Sequence, residues 1–206
     1  MSVQMRVMVA TLAILALASA AAAQSGTDKS NDLCVGGEAS APIRIEVFSD
    51  YQCPACRAFY LETIRQVLTE YSAENRVCVI YHDFPLNMHS HAREATRYAL
   101  AARRLGREQW LRVSEALYTQ QGQWAEDGKI EAAVAPALSP EDLLKVKKIM
   151  QEPSIEQTIQ KEIALATARQ VLSTPTFFIS ANGREQKVSG GIPYPILKDY
   201  LDRLLR

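Results

Sequence analysis

The sequence predicts a mixed α/β protein whose small sheet is interrupted by a long all-helical segment. Three observations predict it: two strand-like runs flank a helix over 43–81, a helical pattern alone fills about 88–172, and two further strand-like runs precede a last helix. The chain has 206 residues, of which 48% are hydrophobic, so it can bury a core. Its 23 Lys+Arg balance its 23 Asp+Glu, which argues against binding to nucleic acid.

Residues 1–23 have the pattern of a secretory signal peptide. Arg6 precedes an uncharged apolar run over 7–18, and small residues continue to Ala23. The apolar run is shorter than the about 20 residues that span a membrane. We therefore expect cleavage near Ala23 and a periplasmic or secreted protein, with an N-terminal arm over 24–41 and one main domain over 42–206.

The main domain opens with a predicted βαβ unit. β-Branched and apolar residues over 43–48 indicate a buried strand, and Pro54 suits the first turn of the helix that follows. Apolar residues at helical spacing continue to Tyr71, and a second strand is expected over 76–81. Such a unit favours two parallel strands joined by a right-handed crossover.

The rest of the domain consists of a long helical block followed by two strand-like runs and a last helix. Glycines and prolines divide the block over 88–172 into four or five predicted helices. Strand character returns over 176–179 and again over 186–189, and Asn182-Gly183 between the two runs is typical of a hairpin turn. An amphipathic helix after Pro195 ends the chain.

Four cysteines follow the expected cleavage site, which fits an oxidising compartment. Cys53 and Cys56 form a Cys-x-x-Cys pair between the first strand and its helix, too closely spaced to connect distant parts of the chain. A helix N-terminus stabilises a thiolate, so Cys53 is the expected nucleophile. Cys56 lies one turn further on and can resolve a mixed disulfide. Half of a zinc site is the alternative, but four-cysteine sites usually consist of two close pairs.

The order of elements and three motifs resemble the DsbA-like thiol:disulfide oxidoreductases, which have a thioredoxin fold with an inserted helical domain. The motifs are Phe48-Ser49-Asp50-Tyr51-Gln52-Cys53-Pro54-Ala55-Cys56, Asp83-Phe84-Pro85-Leu86 with His89, and Ser173-Thr174-Pro175-Thr176-Phe177-Phe178-Ile179. The resemblance implies that Pro175 is cis and faces the cysteine pair, while the backbone of Thr174 binds an extended substrate peptide. It also implies that Pro54 and Ala55 tune the redox potential.

Two positions depart from the family pattern. Many relatives keep a buried acid where this chain has Val47, and Glu46 would point to the opposite face of a regular strand. Strongly oxidising members carry a histidine where this chain has Ala55. Ala55 and Thr174 both indicate a pair less oxidising than the most extreme members, so we expect a reduction potential between about −120 mV, the DsbA value, and about −270 mV, the thioredoxin value.

Cys34 and Cys78 could form a structural disulfide. The arm can lie beside the strand that holds Cys78, as in thioredoxin, or at the opposite sheet edge, as in larger DsbA-like members. Only the first arrangement brings the two residues within the about 7 Å between Cα atoms that a disulfide allows.

The resemblance implies an oxidase that donates its Cys53–Cys56 disulfide to translocated proteins through a mixed disulfide. It needs no dissociable cofactor or metal, acts on unfolded or reduced exported proteins as a monomer, and is reoxidised by a DsbB-like or quinone-linked membrane partner. A reductase or isomerase of the same fold is one alternative. A copper metallochaperone with Cys53, Cys56 and His89 as ligands is another, although structural roles for His82, His89 and His91 are the simpler expectation.

Overall fold

Four strands form one sheet in the order β2-β1-β3-β4. The computed structural model describes residues 34–206, so the predicted signal peptide and most of the arm lie outside the described residues. The strands are β1 (Ile43–Ser49), β2 (Val77–Asp83), β3 (Thr176–Ala181) and β4 (Arg184–Ser189). β1 pairs in parallel with β2 and antiparallel with β3, and β3 pairs antiparallel with β4. The predicted βαβ unit and hairpin are both present.

Helix α1 connects β1 to β2 and carries the cysteine pair at its start. It begins as Pro54–Phe59 and continues through Tyr60–Ile64, Arg65–Val67 and Leu68–Ser72, where the second and fourth segments have π-helical hydrogen bonds. Its buried side chains pack on the sheet face formed by alternate residues such as Ile45, Val47, Val79 and Tyr81. One face of the sheet therefore contacts the helix that holds the cysteines.

Six helices, rather than the predicted four or five, form the insertion between β2 and β3. They are α2 (Ala92–Leu105), α3 (Arg107–Thr119), α4 (Gln121–Asp127), α5 (Ile130–Val134), α6 (Pro140–Ile149) and α7 (Pro153–Ala168). The count was too low because α4 and α5 are very short and only Gly128, in a left-handed conformation at φ 73°, and Lys129 separate them. Gly122 does not break a helix as expected, since it lies within α4.

The opposite face of the sheet packs on the end of this insertion. Phe48 of β1 and Phe178 of β3 form a smaller apolar cluster with Ala166 of α7 and Val171. The last helix, α8 (Tyr194–Leu204), returns to the α1 side and buries Leu197 and Leu201 in the main core. The observed layers confirm the predicted fold class. In the part of the chain that the structure describes, no helix has the length and hydrophobicity to cross a membrane.

The arm lies beside β2, at the edge of the sheet. The Val35 amide donates to the Val79 carbonyl at 2.7 Å, and the Val79 amide donates to the Gly36 carbonyl at 2.8 Å. Cys34 and Cys78 are joined by a disulfide with 5.4 Å between their Cα atoms. Gly37 has a φ of 71°, and a Cβ there would lie 2.2 Å from the Val77 carbonyl oxygen, so the close approach of arm and strand requires glycine.

Candidate active site

Cys53 is the residue that precedes the first turn of α1. Its backbone is extended, with φ −73° and ψ 121°, and Pro54 occupies the first helical turn. The Asp50 side chain folds the preceding loop by accepting a hydrogen bond from the Gln52 amide at 2.7 Å. The local sequence thus ends the strand, turns the chain and starts the helix with a cysteine at its positive end.

The two thiols differ in exposure and in acidity. A hydrogen bond from Cys56, assisted by the Cys56 and Ala55 amides and opposed by partial burial, lowers the pKa of Cys53 to about 5. Burial raises the pKa of Cys56 well above its ordinary value, and the neighbouring Cys53 raises it further. Cys53 is 7% exposed and Cys56 only 1%. At neutral pH the pair therefore holds a thiolate on Cys53 and a buried thiol on Cys56.

The Thr174-Pro175 peptide bond is cis, and its loop faces the cysteine pair. Sγ of Cys53 lies 3.5 Å from the carbonyl oxygen of Thr174, where the protonated thiol can donate a hydrogen bond. Pro54 and Ala55 lie beside Cys53 on the exposed side of the helix start. The structure thus brings together Cys53, Cys56 and Thr174 across 121 residues of sequence.

Asp50 is a residue of this site that the sequence reasoning missed. Its fully buried carboxylate also accepts hydrogen bonds from the Leu86 amide at 2.8 Å and from Nδ1 of His89 at 2.7 Å. It therefore fixes the segment after β2 to the loop before Cys53. The signal was present, because Asp at the start of a turn commonly accepts hydrogen bonds from nearby amides.

The helical insertion also holds the cysteine loop. The Gln121 side chain, at the start of α4, donates to the carbonyl oxygens of Tyr51 at 2.7 Å and Cys53 at 3.0 Å. Arg57 of α1 donates to the Tyr118 carbonyl at 2.9 Å. These contacts join residues more than 60 positions apart, so no local pattern could have indicated them.

The structure places Glu46 on the sheet face away from the cysteines. It contacts Arg44 at 2.9 Å, Arg169 at 3.1 Å and Nε2 of His82 at 3.3 Å. Although burial opposes ionisation, the hydrogen bond with His82 and these positive charges lower the pKa of Glu46 to about 2. The register of β1 is regular, so no bulge turns this carboxylate toward Cys56.

His89, a ligand in the copper-binding alternative, has a protein partner in this structure. Nδ1 of His89 is engaged by Asp50, and no group of three or more His, Cys, Asp or Glu side chains within residues 34–206 could hold a metal ion. His82 is buried in β2 between Glu46 and Glu162, and His91 precedes the first turn of α2.

Comparisons with known proteins agree with this geometry. A thioredoxin family model matches residues 29–192. The chain is 21% identical over 153 residues to a probable disulfide bond formation protein D of Bacillus cereus, covering 71% of this chain and 69% of that protein.

Two solved structures show the same fold. Alpha-DsbA1 of Wolbachia pipientis superposes with a TM-score of 0.67 at 18% identity, covering 82% of this chain and 88% of that one. BdbD of Bacillus subtilis also gives a TM-score of 0.67, at 16% identity and with 82% and 90% coverage. The chain therefore belongs to the thioredoxin family, and it shares with these DsbA-like structures a helical domain inserted between β2 and β3.

Proposed function

We propose that this protein is an extracytoplasmic oxidase that transfers its Cys53–Cys56 disulfide to exported proteins through a mixed disulfide. The observation that carries the proposal is the contrast within the pair: an acidic, partly accessible Cys53 beside a buried Cys56 whose pKa is raised. This contrast favours a reduced pair with its charge on Cys53, and stabilising the reduced form makes the disulfide a better oxidant.

The contrast also assigns the order of the steps. A substrate thiolate attacks Sγ of Cys53, the Cys53–Cys56 bond breaks, and the electron pair leaves on Cys56. A second substrate thiolate then attacks the substrate sulfur of the mixed disulfide, and Cys53 leaves as a thiolate. Two electrons pass from the substrate dithiol to the cysteine pair, and the lowered pKa of Cys53 makes it a good leaving group.

The loop before β3 is the proposed substrate platform. The Thr174 carbonyl beside Cys53 can accept a backbone hydrogen bond from an extended peptide, which places substrate sulfur near the nucleophile without sequence preference. Leu172, two residues earlier, is a large apolar side chain with 92% of its surface exposed. Such exposure suits contact with unfolded proteins, which display apolar side chains.

The proposed redox partners of the protein and the direction of electron flow follow from the same proposal. Export by the predicted signal peptide would place the protein with reduced substrates, and a DsbB-like or quinone-linked membrane partner would reoxidise the pair of a monomeric enzyme. Equilibration with glutathione tests the direction. A potential between about −120 mV and about −270 mV agrees with an oxidase, whereas a value at or below the thioredoxin value indicates a reductase.

Trapping experiments test the assignment of the two thiols. Cys56→Ser should attack a disulfide-bonded model peptide and remain attached as a covalent mixed disulfide, since no second thiol releases it. Cys53→Ser should form no adduct. Mass spectrometry of the non-reduced proteins measures both outcomes, and adducts on the Cys53 variant alone would reverse the assignment.

A further inference from the structure

Cys56 presents a problem for the proposed exchange. When the disulfide opens, the electron pair is left on a sulfur that is 1% exposed, and a buried charge without hydrogen-bond donors is strongly destabilised. Val47, on the cysteine side of the sheet, carries no ionisable group, and Glu46 lies on the other face of the sheet. Other groups must therefore stabilise the charge.

Three buried hydroxyl groups form a hydrogen-bonded chain on the cysteine side of the sheet. Oγ of Ser49 lies 2.9 Å from Oη of Tyr118, which lies 2.7 Å from Oη of Tyr81. Ser49 follows Val47 on the same face of β1, and Tyr81 is the register partner of Val47 on β2. All three side chains are almost completely buried, so the chain is shielded from water.

Ser49 is the member of this hydroxyl chain that interacts with the sulfur of Cys56. A side-chain hydrogen bond with Ser49 lowers the pKa of Cys56, in opposition to the larger effect of burial. The Asp50 amide points at the same sulfur from 3.5 Å.

The titratable and charged groups near Cys56 belong to three elements. Cys53 precedes the first turn of the same helix, Tyr118 lies on α3, Tyr81 lies on β2, and Asp83 at the end of β2 is the register partner of Ser49. Burial holds the pKa of both tyrosines well above 10, so they remain protonated and able to donate at neutral pH.

We propose that Ser49, Tyr118 and Tyr81 act together as a hydroxyl chain that stabilises the thiolate left on Cys56. The inference rests on the proposed function. As the Cys53–Cys56 bond breaks, Ser49 donates its O–H to the Cys56 sulfur, Tyr118 donates to Ser49, and Tyr81 donates to Tyr118. Each hydroxyl group keeps its proton, so the hydroxyl chain donates hydrogen bonds and transfers no proton. Ser49 is a catalytic residue in this scheme, while the tyrosines are positioning residues.

The test measures the first exchange step in single-turnover experiments. The oxidised protein is mixed with a reduced model peptide, and the free Cys56 thiol is counted with time. A hydrogen bond to a charged group contributes about 1.5–3 kcal/mol, so Ser49→Ala should slow this step about ten- to a hundred-fold. Tyr118→Phe should slow it less, and Ser49→Thr, which keeps the hydroxyl, should restore most of the rate.

Ser114→Ala is the matched control. Ser114 is also a fully buried serine, lies on α3 one turn before Tyr118, and pairs with Oη of Tyr51 at 2.9 Å. Its variant should keep the rate of the parent protein. The pH dependence of Cys56 alkylation in a Cys53→Ala background gives a second measurement, in which Ser49→Ala should move the midpoint upward and Ser114→Ala should not.

The outcomes separate this inference from the proposed function. Trapping of peptide by Cys56→Ser depends on Cys53 alone, so it should survive the addition of Ser49→Ala. If trapping succeeds while Ser49→Ala exchanges at the parental rate, the hydroxyl chain has no catalytic effect. An equal slowing by Ser114→Ala would also overturn the inference. Failure of trapping itself would contradict the proposed function instead.

Discussion

Asp83, at the end of β2, is a carboxyl group buried without a hydrogen bond to either oxygen among the described residues. Burial, together with the negative charge of Glu162, raises its pKa from an ordinary 3.8 to about 7. The folded protein therefore binds this proton more tightly than the unfolded chain. The free energy of unfolding must fall as pH rises between these two pKa values.

Asp83→Asn should remove this dependence on pH. The shift corresponds to a cost on the order of 4 kcal/mol that is absent at pH 3 and fully present above pH 8. We expect the variant to gain stability relative to the parent protein as pH rises from 5 to 8, as measured by urea unfolding. Asp199→Asn, which changes an exposed carboxylate on α8, should show no such gain. A constant difference between parent and Asp83→Asn across this range would contradict the assignment.

The predictability of single residues depended on whether their partners were local. The family motifs led to the predictions for Cys53, Cys56 and Pro175, because these positions lie in recognisable segments. Ser49 lay inside a quoted motif, yet its partner Tyr118 comes from a helix 69 residues later. A contact of that kind arises from the packing of the insertion on the sheet, which the sequence pattern does not specify.

Among the elements, the arm is the one whose position the sequence left open. It lies beside β2, and Arg107 of α3 also holds it by donating to the Val35 carbonyl at 2.6 Å. The strand assignments were accurate to about two residues, since alternation and the Asn182-Gly183 turn are local signals. The side on which the arm lies depends on tertiary contacts, and no local signal encodes it.

Removing the arm disulfide should destabilise the protein. A closed loop with a sequence separation of 44 restricts the unfolded chain by about 4 kcal/mol in the chain-entropy model. We expect the double variant Cys34→Ala/Cys78→Ala to lose approximately this free energy of unfolding while it retains thiol exchange at Cys53. Guanidinium unfolding and peptide mapping of the non-reduced protein provide the measurements. Equal stability of the two proteins would mean that the bond contributes nothing to the folded state.

At the scale of the whole molecule, the sheet has two chemically different faces. The face toward α1 holds the thiols and the buried hydroxyls, with Asp83 at its end, whereas the face toward α7 holds a buried ionic cluster. In that cluster Nδ1 of His82 lies 2.7 Å from Glu162, and its ring stacks on Phe48 with 4.6 Å between centroids. Although burial opposes protonation, the hydrogen bonds with Glu162 and Glu46 raise the pKa of His82 to about 9.

His82→Gln should therefore weaken the fold without changing the exchange chemistry. A raised histidine pKa adds stability that is complete below pH 6.5 and is lost as pH rises through 9, and here it corresponds to about 3 kcal/mol. The loss in the variant should be full at pH 6 and much smaller at pH 10, as measured by denaturant unfolding. Its reduction potential should match that of the parent. A shifted potential would show that the two faces are coupled.

The separation of the two faces has a consequence for how such a protein can evolve. The proposed stabilisation of the Cys56 thiolate and the dependence of stability on alkaline pH rest on side chains that lie on opposite faces of the sheet. A lineage that enters an alkaline habitat can change Glu46, His82 or Arg169 and keep its redox chemistry. A lineage that changes Ser49 or Tyr118 would alter the proposed stabilisation of Cys56 and leave the contacts of His82 in place. The sheet allows each trait to be selected independently.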